Sequence, residues 1–128
     1  MDLLLDTHSF IWFVENDPKL PENTKLIIED ALNSVYLSIA SLWEITIKIQ
    51  LNKLAINQSI ETILNLTIEN GFEILSILPE HLLKLSKLGF YHRDPFDRII
   101  IAQGLEEDFI IVSKDQVFDL YHVKRLWD

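Results

Sequence analysis

The segment Asp108-Phe109-Ile110-Ile111-Val112-Ser113 decides the fold: its apolar residues run without alternation and meet the polar pair Lys114-Asp115 at the end. A strand with one face in water alternates apolar and polar residues. An unbroken run implies burial on both faces, the habit of parallel sheets sandwiched between helices. Just upstream lies His92-Arg93-Asp94-Pro95-Phe96-Asp97-Arg98-Ile99-Ile100-Ile101-Ala102-Gln103-Gly104. Asp94 can cap free N–H groups and Pro95 fits the first helical position, so a strongly apolar helix is predicted to start there. At the other end of the chain, Leu3-Leu4-Leu5 is a second buried run, ending at Asp6 and passing through Thr7-His8-Ser9 into a short helix over Phe10–Val14.

Outward from these, 34–40 and 72–77 read as further strands, and 121–126 as a candidate fifth. Between them, 22–33 carries Leu26, Ile27, Ala31 and Leu32 at helical spacing, 41–49 is a helix entered from a strand, and 59–68 is closed by Asn70-Gly71. The stretch 79–88 repeats the pattern with Leu82, Leu83, Leu85 and Leu88. Strands alternating with helices predict an α/β protein: a three-layer α/β/α sandwich with a central, mainly parallel sheet of four to five strands, in one domain over residues 1–128.

Composition narrows the function. At 48% hydrophobic and 24% charged, with 3 Gly and 4 Pro, the chain is neither disordered nor fibrous. It has no cysteine, which excludes disulfides, cysteine zinc sites and thiol catalysis. Met1-Asp2-Leu3-Leu4-Leu5-Asp6 is acidic where a signal peptide is basic, and no apolar run approaches the ~18 residues of a membrane span, so a soluble cytoplasmic protein is expected. A net charge of −9 weighs against a protein that coats nucleic acid nonspecifically.

The chemistry lies in the carboxylates. Asp6 and Asp115 each follow a buried strand, while Glu44 and Asp97 each sit in the first turns of a helix. In a parallel sheet such positions converge on the carboxyl edge, where open α/β folds bind ligands. Each residue also has a local reading. Asp6 and Asp94 suit N-caps, Ser41 with Glu44 fits a capping box, Glu44 with Lys48 an i,i+4 pair, and Asp97 the positive end of the helix dipole. If the four meet, repulsion decides, because two charges ~4 Å apart cost about 4 kcal/mol at an effective dielectric of about 20. Either some stay protonated or a divalent cation binds, and an all-oxygen set suits Mg²⁺ or Mn²⁺. Such an ion activates water and clamps a phosphate, which points to phosphodiester hydrolysis.

In this light the chain resembles a PIN domain, specifically a VapC-type ribonuclease toxin of toxin–antitoxin pairs, over essentially its whole length. Leu4-Leu5-Asp6-Thr7-His8, Ser38-Ile39-Ala40-Ser41-Leu42-Trp43-Glu44-Ile45, His92-Arg93-Asp94-Pro95-Phe96-Asp97-Arg98 and Val112-Ser113-Lys114-Asp115 are similar to the family's motifs, in order. The resemblance implies a Mg²⁺- or Mn²⁺-dependent endoribonuclease with Asp6, Glu44, Asp97 and Asp115 as the catalytic, metal-holding quartet. It also implies an RNA substrate, a cognate antitoxin and a toxin homodimer. The alternatives are a catalytically silent RNA- or protein-binding module and a structure-specific DNA nuclease.

Around the quartet, Asp94 reads as a cap or a supporting residue, and Thr7 and Ser113 either orient a ligand or water or satisfy nearby main chain. Lys48, Arg93, Arg98 and Lys114 are the candidate phosphate contacts, Arg98 first because it adjoins Asp97. His8, His81, His92 and His122 form no close ligand pair, so no histidine metal site is expected. Trp12, Trp43 and Trp127 read as core rather than as stacking platforms.

Overall fold

The computed structural model describes every residue except Ala55 and Asn57. Five strands, β1 (Asp2–Leu5), β2 (Ser34–Ser38), β3 (Glu73–Leu75), β4 (Ile110–Val112) and β5 (Lys124–Leu126), form one sheet in the order β3-β2-β1-β4-β5. Every neighbouring pair is parallel, and Leu5 stands in register with Leu37 on one side and Val112 on the other. The helices are α1 (Thr7–Val14), α2 (Glu22–Glu29), α3 (Ile39–Gln50), α4 (Ile60–Glu69), α5 (Pro79–Ser86) and α6 (Pro95–Glu107), with a 3₁₀ turn over Gln116–Tyr121.

The unbroken apolar runs are explained by two cores. Leu3, Leu5, Val35, Leu37 and Val112 pack with Phe10, Leu42, Ile45 and Ile63 on one face of the sheet. Leu4 and Ile111 point the other way, into Ile100, Ile101, Phe118 and Tyr121. Alternate residues of β1 thus enter different cores, and neither face is left to water. The chain winds outward from β1 to β3, then restarts at β4 on the other side of β1, so the carboxyl ends of β1 and β4 flank the switch point where such sheets bind ligands.

Several local expectations fail, among them Trp43, which is expected in the core and is 60% exposed. Helix α2 ends at Glu29 rather than Asn33, because Asp30 turns extended and its carboxylate accepts the Leu32 N–H at 3.0 Å. Leu32 is left 89% exposed, and the helix buries Thr24 and Ile28 instead of the expected stripe. The cap of α3 is Ser38, which accepts the Ala40 N–H at 3.1 Å, not Ser41, because the strand passes into the helix without a loop. Glu44 is therefore relieved of any capping role. Finally, Leu82 and Leu83 of α5 are exposed; the helix is instead tied to α6 through buried His81, which accepts the Leu78 N–H on Nδ1 and meets Glu107 Oε1 through Nε2 at 2.9 Å.

Close packing of α6 on the sheet depends on Gly104. A Cβ there would meet Ile111 Cδ1 at 2.6 Å and Cγ1 at 2.8 Å, so the fully buried Ile111 side chain would have to shift. Alanine suits a helix better than glycine by up to about 1 kcal/mol, but overpacking costs about 1–3 kcal/mol. The overpacking wins, so Gly104→Ala is expected to lower the midpoint of thermal unfolding; an unchanged or raised midpoint would show that α6 can lift.

Candidate active site

All four acidic positions face the carboxyl edge beside β1 and β4. Asp6 follows β1 directly; its N–H donates to Val112 O at 3.1 Å, and its carboxylate caps α1 by accepting the Ser9 N–H at 2.9 Å. Burial pushes its carboxyl above the usual range, with nearby Ser113 and Ser9 pulling the other way. Asp115 follows β4 and caps the 3₁₀ turn, accepting the Val117 N–H at 3.0 Å. Asp94 caps α6, with Oδ1 accepting the N–H groups of Phe96 at 2.8 Å and Asp97 at 3.1 Å.

Glu44, only 3% exposed, is held at both oxygens. The Thr7 hydroxyl donates to Oε1 at 2.7 Å and shares a 3.0 Å bond with the Ser41 hydroxyl, while Lys48 Nζ donates to Oε2 at 2.6 Å. Thr7 therefore bonds across to α3 rather than to nearby main chain, whereas the Ser113 hydroxyl does accept a local N–H, that of Asp115, at 3.0 Å. Thr7→Val is expected to cost about 1–2 kcal/mol by stranding buried acceptors and to lower cation affinity about tenfold or more, with Thr7→Ser restoring both. Equal cation affinity in Thr7→Val, read by calorimetry, would mean that Lys48 alone positions Glu44.

Asp97 carries the electrostatic load of the cluster. Its carboxyl is raised to about 8, first by burial and then by the charges of Asp94, Asp6, Glu44 and Asp115. A half-buried carboxylate repelled from four sides is stabilised by a proton or by a cation, and hard oxygen donors match Mg²⁺ or Mn²⁺. The residues present fit such an ion.

His92 is the participant that sequence reasoning set aside. Its Nε2 lies 3.0 Å from Asp97 Oδ2 and 2.9 Å from Asp115 Oδ2, and one ligand atom from each of the three falls within 4.8 Å of the others. Yet Nδ1 accepts the Asp94 N–H at 3.1 Å, so the ring proton sits on Nε2. His92 thus offers the carboxylates an N–H rather than offering a metal a lone pair. The signal was local, since the Asp94-Pro95 turn folds the preceding residues back over the first turn of α6.

Arg98, expected to face phosphate, is turned inward and 8% exposed. Its Nη1 donates to Gly89 O at 2.7 Å, Tyr121 Oη at 3.2 Å and His92 O at 3.4 Å, with Phe90 against its guanidinium at 4.3 Å. Tyr121 Oη in turn donates to Gly89 O at 2.7 Å and accepts the His92 N–H at 2.8 Å. This knot fixes the loop carrying His92. Of the other expected contacts, Lys48 is engaged by Glu44, while Arg93 and Lys114 are exposed.

The PIN domain family matches residues 3–124. The chain belongs to the PIN domain family. No curated protein sequence matches it. Among solved structures, this PIN domain is similar to a chain of VapBC2 from Rickettsia felis bound to a promoter DNA fragment, with TM-score 0.74 and 16% identity over 100% of both chains. It is similar also to a chain of VapBC-1 from nontypeable Haemophilus influenzae, with TM-score 0.73 and 18% identity over 98% of this chain and 97% of that one. A chain of FitAcB from Neisseria gonorrhoeae follows at 0.62 and 20%, over 97% and 96%. At these identities the likeness is one of fold.

Proposed function

We propose that this PIN domain is a Mg²⁺- or Mn²⁺-dependent endoribonuclease of the VapC type, the toxin of a toxin–antitoxin pair. The observation that carries the reading is the gathering of carboxylates around Asp97, whose carboxyl is raised to about 8 first by burial and then by the charges of Asp94, Asp6, Glu44 and Asp115, a load that a bound cation would relieve. Asp6, Glu44, Asp97 and Asp115 would hold the ion. When bound, it supplies positive charge against the phosphate and polarises the attacking water. The chain's own residues do the positioning: Thr7 and Lys48 fix both oxygens of Glu44, the Ser9 N–H fixes Asp6, and His92 spans Asp97 and Asp115.

A cognate antitoxin belongs to the same reading, since similar chains stand in VapBC complexes. So does a toxin homodimer. A cytoplasmic setting is proposed with it; among the described residues no helix is long and apolar enough to cross a membrane.

The test is digestion of single-stranded RNA, single-stranded DNA and flap DNA side by side, with Mg²⁺, with Mn²⁺ and with chelator. RNA cleavage that requires metal and vanishes in Asp6→Asn is the expected result. Preference for flap DNA would overturn the substrate, and failure of calorimetry to detect Mn²⁺ binding would overturn the enzyme.

A further inference from the structure

We propose that the cavity beside Asp6 and Asp115 is a nucleotide subsite for single-stranded RNA, in which Trp12 and His8 stack a base and Lys114 holds the adjoining phosphate. The inference rests on the ribonuclease reading and adds to it where the strand runs.

The cavity measures about 460 Å³ and is lined by Asp6, His8, Trp12, Lys114, Asp115 and Gln116. Two of its walls are carboxylates of the acidic cluster, so a strand whose phosphate reaches the cluster from this side must lay its next nucleotide here. The lining also includes two aromatic rings. The His8 and Trp12 rings lie 5.7 Å apart and tilted by 37°. Trp12 is half-buried rather than wholly core: Trp127 supports it at 5.9 Å, and it packs against the edge of the apolar core. The indole is thus anchored by packing, with Lys19 Nζ also over its ring at 5.9 Å, while the residue still lines the cavity. A rigid aromatic surface beside a phosphate-handling site suits a base, because every base has a π-face and stacking needs no sequence readout.

Among the four cations singled out in the sequence, elimination leaves Lys114 as the phosphate contact. Lys48 is engaged by Glu44, and Arg98 is turned into the loop knot. Arg93 borders a different cavity, with Phe90, Pro95 and Arg98. Lys114 is exposed, lines this cavity, lies two residues past the end of β4 and makes no ion pair among the described residues. In a chain of net charge −9, an unpaired cation next to an acidic cluster gives an incoming phosphate its local attraction.

The test measures binding of fluorescein-labelled octauridylate RNA by anisotropy, with Ca²⁺ present, for the wild type and for Trp12→Leu, Trp12→Phe, His8→Ala and Lys114→Gln. Trp12→Leu and His8→Ala are each expected to weaken binding about tenfold, Trp12→Phe to stay within about threefold of wild type, and Lys114→Gln to reduce the salt slope by about one. Mn²⁺ affinity by calorimetry is expected to be unchanged in the two Trp12 variants and no weaker in Lys114→Gln, which removes a positive charge beside the cluster. If Trp12→Leu fails to fold, His8→Ala decides, since His8 is exposed on α1. Wild-type affinity in His8→Ala together with a wild-type salt slope in Lys114→Gln would overturn the subsite while leaving RNA cleavage intact. A wild-type protein that neither binds nor cleaves RNA would overturn the ribonuclease reading and this inference with it.

Discussion

Asp97→Asn is expected to cut RNA cleavage at least about a hundredfold and, in metal-free buffer, to raise the melting temperature. The two effects share a cause. The Asp97 carboxyl is raised from 3.8 to about 8 by burial and by the charges of Asp94, Asp6, Glu44 and Asp115, so ionising it works against the fold. The sign follows from proton counting. Between about 4 and about 8 the folded chain holds a proton at this site that the unfolded chain has released, so wild-type stability falls as pH rises through that window. Asparagine keeps the shape and removes the ionisation. A relief of about 1 kcal/mol would move the midpoint by roughly 3–5 °C for a chain of this size. Mn²⁺ should act in the same direction on the wild type and much less on Asp97→Asn. Scanning fluorimetry at pH 5 and pH 8, with and without Mn²⁺, reads all of this. A variant less stable than wild type at pH 8 would show that Asp97 is held by His92 more than it is opposed by its neighbours.

Arg98→Ala is expected, by contrast, to lose stability, about 2–3 kcal/mol, because it empties a buried position and breaks the knot that ties Gly89, His92 and Tyr121 together. Activity should fall with it, since the loop that Arg98 secures carries His92 to Asp97 and Asp115. A phosphate contact behaves differently: its removal leaves the fold alone and lowers the salt dependence of RNA binding by about one unit of slope. The expected result is therefore a lower denaturation midpoint with an unchanged slope in the conservative Arg98→Lys. An unchanged midpoint with a reduced slope would return Arg98 to the RNA.

Asp94 and Asp97, three residues apart, separate cleanly in the structure. Both oxygen-to-N–H bonds of Asp94 go into the start of α6, while Asp97, one turn further, faces the other carboxylates. Cap chemistry is short-range and so could be read from Asp94-Pro95. The load on Asp97 comes first from burial and from the charge of nearby Asp94, then from residues as distant in the chain as Asp6 and Asp115, whose approach no local pattern measures.

The sequence by itself determined what rests on neighbours and periodicity. The runs Leu3–Leu5 and Ile110–Val112 demanded burial on both faces and hence a parallel sheet. The Asp94 cap and the Glu44–Lys48 pair are likewise contacts within one turn of helix. Tertiary structure alone decided which apolar residues stay buried, leaving Leu32 and Leu83 in water, because helix ends and crossing positions depend on partners far along the chain. It also carried Thr7 to Glu44, set His92 between two aspartates and turned Arg98 inward. The physical reason is common to these cases: spacing along the chain encodes which way a side chain leaves its own helix or strand, whereas the partner it meets is fixed only when β1 and β4 are laid side by side.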